Sequence, residues 1–434
     1  VTVPEDSPSL PPEDSHAATD HVFRHEAARL RASLVRAFGA RHIDLAEDVM
    51  QDALVQALKH WRFHGVPDNP GAWLLSVARR RAIDELRRDR VLERSAPGIA
   101  AWLGRPQAPR DAGLVLDDQL AMLFACAAPQ LAPESRIALM LHLVAGFSIA
   151  EVARAFLLSE DAASQRILRA KRLLRDEQAT IEVPDETHLP ERLDAVLDTI
   201  YLMLNEGHAP GVGNDPVRLD VLEECTRLCE LLLEHPRTTA PAVHAMLAMT
   251  LFTRSRTDAR MDEAGVLLML DQQPRDKWNQ ALIQRGFRHL ALAASGTRLT
   301  RYHIEAAIAS IHARATTFES TDWAELLSLY DLLVRAHPTP IVRLNRVVVI
   351  AMLHGPQAGL RALDEADLQS ALANYPPFHA VRAQLFERAD LLHEARAALL
   401  AALALPWPAP HQRLLTDRLA NLEQRISNGN PDRP

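Results

Sequence analysis

The chain has 434 residues, 48% hydrophobic, 24% charged and only 5% aromatic, with a formal charge of -8. That balance fits a folded protein of roughly two to four domains. It excludes one that holds nucleic acid unaided over a broad surface, because phosphate contacts need positive charge.

The longest apolar run, Val347–Leu353, is far too short to cross a bilayer. The only cysteines are Cys126, Cys225 and Cys229, too few for a disulfide framework, so a reducing cytoplasm is the expected compartment. Ala and Leu dominate and β-branched runs are scarce, which favours helices.

Residues 1–20 begin VTVPEDSPSLPPEDS. This stretch is acidic and Pro-rich, predicts a disordered tail and has no apolar signal-peptide segment. Residues 21–94 are predicted as a first helical block. Within it, DLAEDVMQDALVQALKHW sets Ala46, Val49, Met50, Ala53, Leu54, Ala57, Leu58 and Trp61 on one helical face, the expected core. Asp44 and Glu47 have the form of a capping box. Glu47, Asp48, Gln51, Asp52 and Gln56 make a polar face that, taken alone, reads as solvated. After the break HGVPDNPG comes AWLLSVARRRAIDELRRDRVLER. On an ideal helix Trp73, Leu74, Val77 and Ala78 share one side. Arg79, Arg80, Arg87, Arg90 and Arg94 cluster within roughly 100° on another. That one-sided charge favours phosphates over a helix laced with internal ion pairs, although Asp84, Glu85, Asp89 and Glu93 are interspersed.

Residues 95–113 carry Pro97, Gly98, Gly104 and Pro106 and read as a linker. A second helical block spans 114–177. Leu131–Ala145 is predicted as a single amphipathic helix. Ser148 is placed as the cap of the next helix and Ser159 as the cap of another. Ala163, Ile167, Ala170 and Leu174 then form an apolar seam, and five basic residues with no acid lie between Ala162 and Arg175. This is the pattern of a helix-turn-helix whose polar face enters the DNA major groove.

From 185 to 425 the chain is again helical, and 426–434 reads as a tail. HPTPIVRLNRVVVIAMLHGPQAGLRALDEA is echoed by YPPFHAVRAQLFERADLLHEARAALLAAL, with 37 residues between Ala358 and Ala395. That period is near the tetratricopeptide (TPR) repeat and predicts a binding surface. Cys225 and Cys229 are expected to pack as small apolar residues, since their spacing suits no common zinc site. Gly207 is expected in a left-handed helix cap. Asp271, Arg275 and Trp278 read either as a buried polar anchor or as a ligand contact. No standard catalytic motif occurs, so neither an enzyme nor a cofactor is expected.

The two blocks together resemble regions 2 and 4 of the bacterial sigma-70 family, extracytoplasmic-function (ECF) group. LDTIYLMLNEGHAP and LLDQQPRDKWNQALIQRG-like residues (268–286) resemble a subgroup with a long C-terminal TPR-like extension. The resemblance implies an all-α protein, with a region 2 bundle and a region 4 helix-turn-helix followed by an α-helical repeat domain. It implies core RNA polymerase as partner, through the β′ clamp helices and the β flap, with Asp48, Gln51 and Asp52 on the docking face. It assigns Asn69 and Trp73 to capture of an unstacked promoter base, with Arg79, Arg80, Arg87 and Arg88 on the helix that reads the -10 element. Ser164, Gln165, Arg166, Arg169, Lys171 and Arg172 would meet the -35 element. Ala162-Ala163 stands where many members carry a Thr-Val-like pair, which departs from the family's base contacts. The extension is implied to regulate the factor or to bind a protein or small molecule; no membrane role is expected. A second reading is a stand-alone helix-turn-helix regulator with a repeat-domain sensor, which leaves the first block without a role. In a third, the DNA module only localises a C-terminal scaffold or enzyme.

Overall fold

The structure is a computed structural model. It describes residues 27–428 except 66, 68–69, 89–111, 157, 178, 209–216, 264–265 and 366–367. The predicted N-terminal tail and nearly all of the predicted linker lie outside the described residues, as does Asn69, while the predicted C-terminal tail begins three residues too early, since 426–428 still belong to the last helix and only 429–434 lie outside. All regular elements among the described residues are helical; the one β contact is an isolated bridge between Met261 and Leu267. None of these helices is long and apolar enough to cross a membrane. The chain divides into two compact units, the first running to Ile200 and the second from Tyr201.

The first unit opens with α1 (27–38), α2 (Ile43–His64) and α3 (Pro70–Arg88). Ala46, Val49, Met50, Ala53, Ala57 and Trp61 of α2 are buried, and so are Leu74, Val77 and Ala78 of α3. Leu58 departs from the expected core and is 71% exposed. It sits about 100° from the centre of the buried arc, beyond what α1 and α3 cover. The expected capping box is also absent: α2 begins at Ile43 with no side-chain cap. Glu47 is drawn instead toward partners far along the chain.

Next come α4 (Ala112–Cys126), α5 (Pro133–Leu139), α6 (Ile149–Phe156) and α7 (Glu160–Asp176). Leu120–Cys126 is buried throughout, and buried Asp118 accepts from Arg36 of α1 at 3.0 Å. The helix expected over Leu131–Ala145 is shorter. Pro133 sets its start, a position where a missing N–H costs nothing. From Met140 to Val144 it widens into a π turn, and this is where the His142 ring leaves the helix to bond Phe147 O. Such widened turns often mark functional segments.

The second unit takes in the C-terminal end of α8 (Leu189–His208) and then α9 (Leu219–Glu234), α10 (Pro241–Ser255), α11 (Gln280–Ala293), α12 (Arg301–Arg314) and α13 (Trp323–Ala336). It ends with α14 (Pro340–His354), α15 (Pro356–Glu365), α16 (Leu368–Ala371), α17 (Pro376–Arg388), α18 (Leu392–Leu403) and α19 (Ala409–Asn428). Most helices adjacent in sequence pack on one another. Single helices serve two successive cores. Val342 and Val349 of α14 join Ile304, Ile308 and Leu326, while Leu344, Val347 and Ala351 of the same helix join Phe378 and Leu385. Ala383 of α17 joins Leu399 and Leu415 in a third core. This is the nearest-neighbour logic of a helical repeat array. The two echoing segments become α14–α15 and α17–α18, each pair opening on a proline.

Gly207 corrects another expectation. It lies inside α8 with ordinary helical φ, and a Cβ there would come 2.8 Å from Leu222 Cδ2. Close packing, not a left-handed cap, calls for glycine. Cys225 and Cys229 are buried on α9 and neither is in a disulfide, and burial raises both thiols.

Candidate nucleic-acid interface

Gly146, at φ +77°, turns the chain out of the π segment; only glycine adopts that conformation without strain. Ser148 and Glu151 then form a reciprocal cap. Glu151 Oε2 accepts from Ser148 N–H and Oγ at 2.8 Å each, and Glu151 N–H donates to Ser148 Oγ at 3.2 Å. Ser159 Oγ accepts from Ala162 N–H at 3.2 Å and starts α7, with Glu160 and Asp161 in the first turn, where the helix dipole favours acids. Ser159→Ala is expected to destabilise α7 by about 1 kcal/mol, seen as faster amide exchange over its first turn; unchanged exchange would remove the capping role.

Ala163, Ile167, Ala170 and Leu174 are the buried residues of α7, the seam expected from spacing. Gln165, Arg169 and Arg172 are exposed on one stripe, with Ser164 and Arg166 half-buried beside it. A long side chain every turn on one solvent face of a capped second helix is the geometry that reaches base edges and phosphates.

Lys171 is placed differently. Its ammonium is 2.5 Å from Glu47 Oε2 and 2.9 Å from Asp44 Oδ1, both on α2, and Arg175 reaches Asp44 at 3.3 Å. Glu47 Oε1 also meets His142 Nε2 at 2.9 Å, while His142 Nδ1 faces Phe147 O at 2.7 Å. Both contacts are hydrogen bonds only when both ring nitrogens carry protons. Burial alone would raise the Glu47 carboxyl. Hydrogen bonds and charge from His142 and Lys171 outweigh it and hold the group at about 2. Burial works against the Lys171 charge too, but Glu47 and Asp44 raise its pKa. So α7 is clasped to the start of α2, and Lys171 in this arrangement faces carboxylates.

The face of α2 turned away from its buried residues, next to Asp44, is open. Asp48, Gln51 and Asp52 are exposed, as expected, and Val55 (41%), Leu58 (71%) and Lys59 continue the same stripe. Periodicity, which counts apolar residues toward the core, gives no sign that Val55 and Leu58 lie exposed on this stripe. Burial, then the neighbouring Asp44 and Glu47, raise Asp48. Asp52 pairs with Arg81 at 3.4 Å, an exposed contact worth little stability.

On α3, Trp73 is half-buried, edge-on to Trp61 at 5.3 Å and stacked with His60 at 5.5 Å. Arg80 is exposed, and Arg79, Arg87 and Arg88 belong to the same helix. No group of three or more His, Cys, Asp or Glu among the described residues is placed to hold a metal.

Comparison with known proteins agrees with these elements. Residues 23–91 match the family model for Sigma-70 region 2, and 121–174 that for Sigma-70, region 4. Residues 192–294 match a family of unknown function, DUF6596. An uncharacterized protein of Rhizobium meliloti (strain 1021) is 37% identical over 397 residues, 89% of this chain and 92% of that protein. The ECF RNA polymerase sigma factor SigL of Mycobacterium tuberculosis is 34% identical over 133 residues, 30% of this chain and 72% of its own length. SigX of Bacillus subtilis, also an ECF RNA polymerase sigma factor, is 28% identical over 158 residues, 34% of this chain and 79% of that protein. No solved structure matches the chain. With both sigma regions in order and relatives of this kind, the chain belongs to the ECF group of the sigma-70 family and carries a long helical C-terminal extension.

Proposed function

We propose that this sigma factor binds core RNA polymerase through the open face of α2 and directs it to specific promoters. In this reading Asp48, Gln51 and Asp52, joined by Val55 and Leu58, meet the β′ clamp helices, and region 4 meets the β flap. Asn69 and Trp73 hold an unstacked base, and Arg79, Arg80, Arg87 and Arg88 read the -10 element. Ser164, Gln165, Arg166, Arg169 and Arg172 read the -35 element, joined by Lys171 once it leaves α2. The C-terminal unit controls this activity or holds a partner.

The observation that carries the reading is the coexistence, in one chain, of a capped helix-turn-helix with an open basic stripe and a separate, partly apolar stripe on α2. A regulator acting alone needs only the first. The acidic total then follows, since polymerase supplies most of the affinity for DNA. Transcription with purified core polymerase tests it. Promoter-specific transcripts are expected from the wild type and should fall at least tenfold for Leu58→Asp, because a charge enters an apolar contact. No specific transcript, together with tight operator binding in the absence of polymerase, would replace this reading with a stand-alone regulator.

A further inference from the structure

The second unit has an open cavity of about 650 Å³ bounded by α8, α10, α12, α13 and α14, within the size range of small-molecule sites. Its walls are aromatic and apolar in large part, with Phe252, Tyr201, Tyr330 and Trp278 among them. Their polar groups are unevenly matched. Arg256 lines the cavity, and one of its Nη atoms lies 2.8 Å from His208 Nε2. Burial first, and then the charges of Arg256 and Arg260, push His208 well below its usual range, so it accepts as a neutral ring. Arg260, 8% exposed, donates to the His208 carbonyl oxygen. Arg275 stacks over the Trp278 ring at 4.0 Å and donates to His312 O at 2.6 Å.

Among the described residues, none of these three guanidiniums has a carboxylate within ion-pair distance, although ion pairs are frequent elsewhere in the unit; Glu319 acts on Arg275 only from farther away, and neither Arg256 nor Arg260 has such a neighbour among the groups that shift it. Donors are also left over. Trp278 is 4% exposed, lines the cavity and has a buried Nε1–H with no partner. Two nitrogens of Arg275 and Nδ1 of His312 are likewise buried and unpartnered. Natural proteins rarely leave such groups unmatched, and uncompensated buried charge is costly. A purely structural cluster would be expected to carry its own acids. Two carboxyls line the wall, Glu206 and Glu305, and of these Glu305 is committed to Tyr201, and burial raises it.

We infer that this cavity is a receptor site for a small organic anion, a carboxylate on an aromatic or apolar body, with Arg256 and the Trp278 N–H meeting the anionic end. This resolves the two readings in favour of a ligand contact for Trp278. Trp278 touches the ligand, and Arg275 is a positioning residue that holds the indole. The extension would then act as a sensor, and its occupancy is the signal it offers to the rest of the chain.

The inference stands apart from the promoter reading, because binding is measured without polymerase or DNA. The full chain is titrated with para-fluorobenzoate, and with para-fluorobenzyl alcohol as the uncharged control, and fluorine NMR line broadening is followed. Millimolar binding of the carboxylate is expected, with little for the alcohol. Arg256→Gln should weaken it by about tenfold or more, the effect of losing a charge-assisted hydrogen bond. Trp278→Phe keeps the ring, removes the unpartnered N–H and should weaken binding about threefold or more, while Glu305→Gln should retain it. Circular dichroism checks that each variant folds, and the milder Trp278→Phe carries the test if Arg256→Gln does not. Absence of binding at millimolar probe, equal binding of the alcohol, or folded Arg256→Gln and Trp278→Phe proteins that bind like the wild type would each overturn the site.

Discussion

Glu47→Gln should release α7 from α2, raising amide exchange in both helices about a hundredfold in the full-length protein. Glu47 is largely buried (its side chain 17% exposed) and faces His142 and Lys171, the latter itself 14% exposed. Removing the charge takes the more buried of Lys171's two carboxylate partners and leaves the half-exposed Asp44, and with the His142 contact weakened as well the loss is about 3 kcal/mol; local exchange reports opening free energy directly.

The same contact fixes a pH dependence. Glu47 lies at about 2 in the folded protein against an ordinary 4.5. A carboxyl with a depressed pKa binds protons more readily when released. Its contribution is therefore complete above about pH 4.5 and is lost as the pH falls toward 2. That difference also corresponds to about 3 kcal/mol. Wild-type protection of α7 should decline across this window, and the Gln variant should be flatter there. Equal protection of the two proteins at neutral pH would show that the clasp carries no stability.

The second large effect concerns DNA. Arg169→Ala with Arg172→Ala should reduce promoter-specific transcription about a hundredfold or more, taking about 1–3 kcal/mol for each good contact to a base. Both side chains are exposed on the same stripe as Gln165 and lie outside the buried seam of α7, so the variant should keep wild-type exchange protection. Salt titration separates two roles. If the arginines meet phosphates, the dependence of affinity on salt becomes shallower by about one per residue; if they read bases, preference at defined positions relaxes instead. A double variant that transcribes like the wild type would remove α7 from the promoter.

What could be read from the chain alone was what depends on neighbours in sequence. Ser148 with Glu151, Ser159 before Ala162, and the seam Ala163, Ile167, Ala170 and Leu174 are all set within one or two turns, and spacing suffices for them. Asp44 and Glu47 look like a capping box for the same local reason. Their true partners, Lys171 and His142, lie 95 residues or more away, and no window of sequence holds both. Leu58 was assigned to the core because periodicity sees that a residue is apolar, not whether a neighbouring helix arrives to cover it. Gly207 was given a backbone explanation where the reason is Leu222, brought against it by α9. The cavity is the extreme case. Its walls come from Tyr201 through Tyr375, and only the imbalance of buried donors over acceptors, which is invisible before folding, gives it meaning.

The double duty of α14 and α17 sets a rule of grammar for the extension. A helix whose two faces belong to different cores cannot be the last word of the array, because stopping there would bare Leu344, Val347 and Ala351, or Ala383, to water. α19 can, since it buries little more than Pro410, Leu415 and Leu422 and turns charged residues outward. Insertions and deletions in relatives should therefore come in whole helix pairs upstream of such a closing helix, so the extension's length is counted in repeats rather than residues.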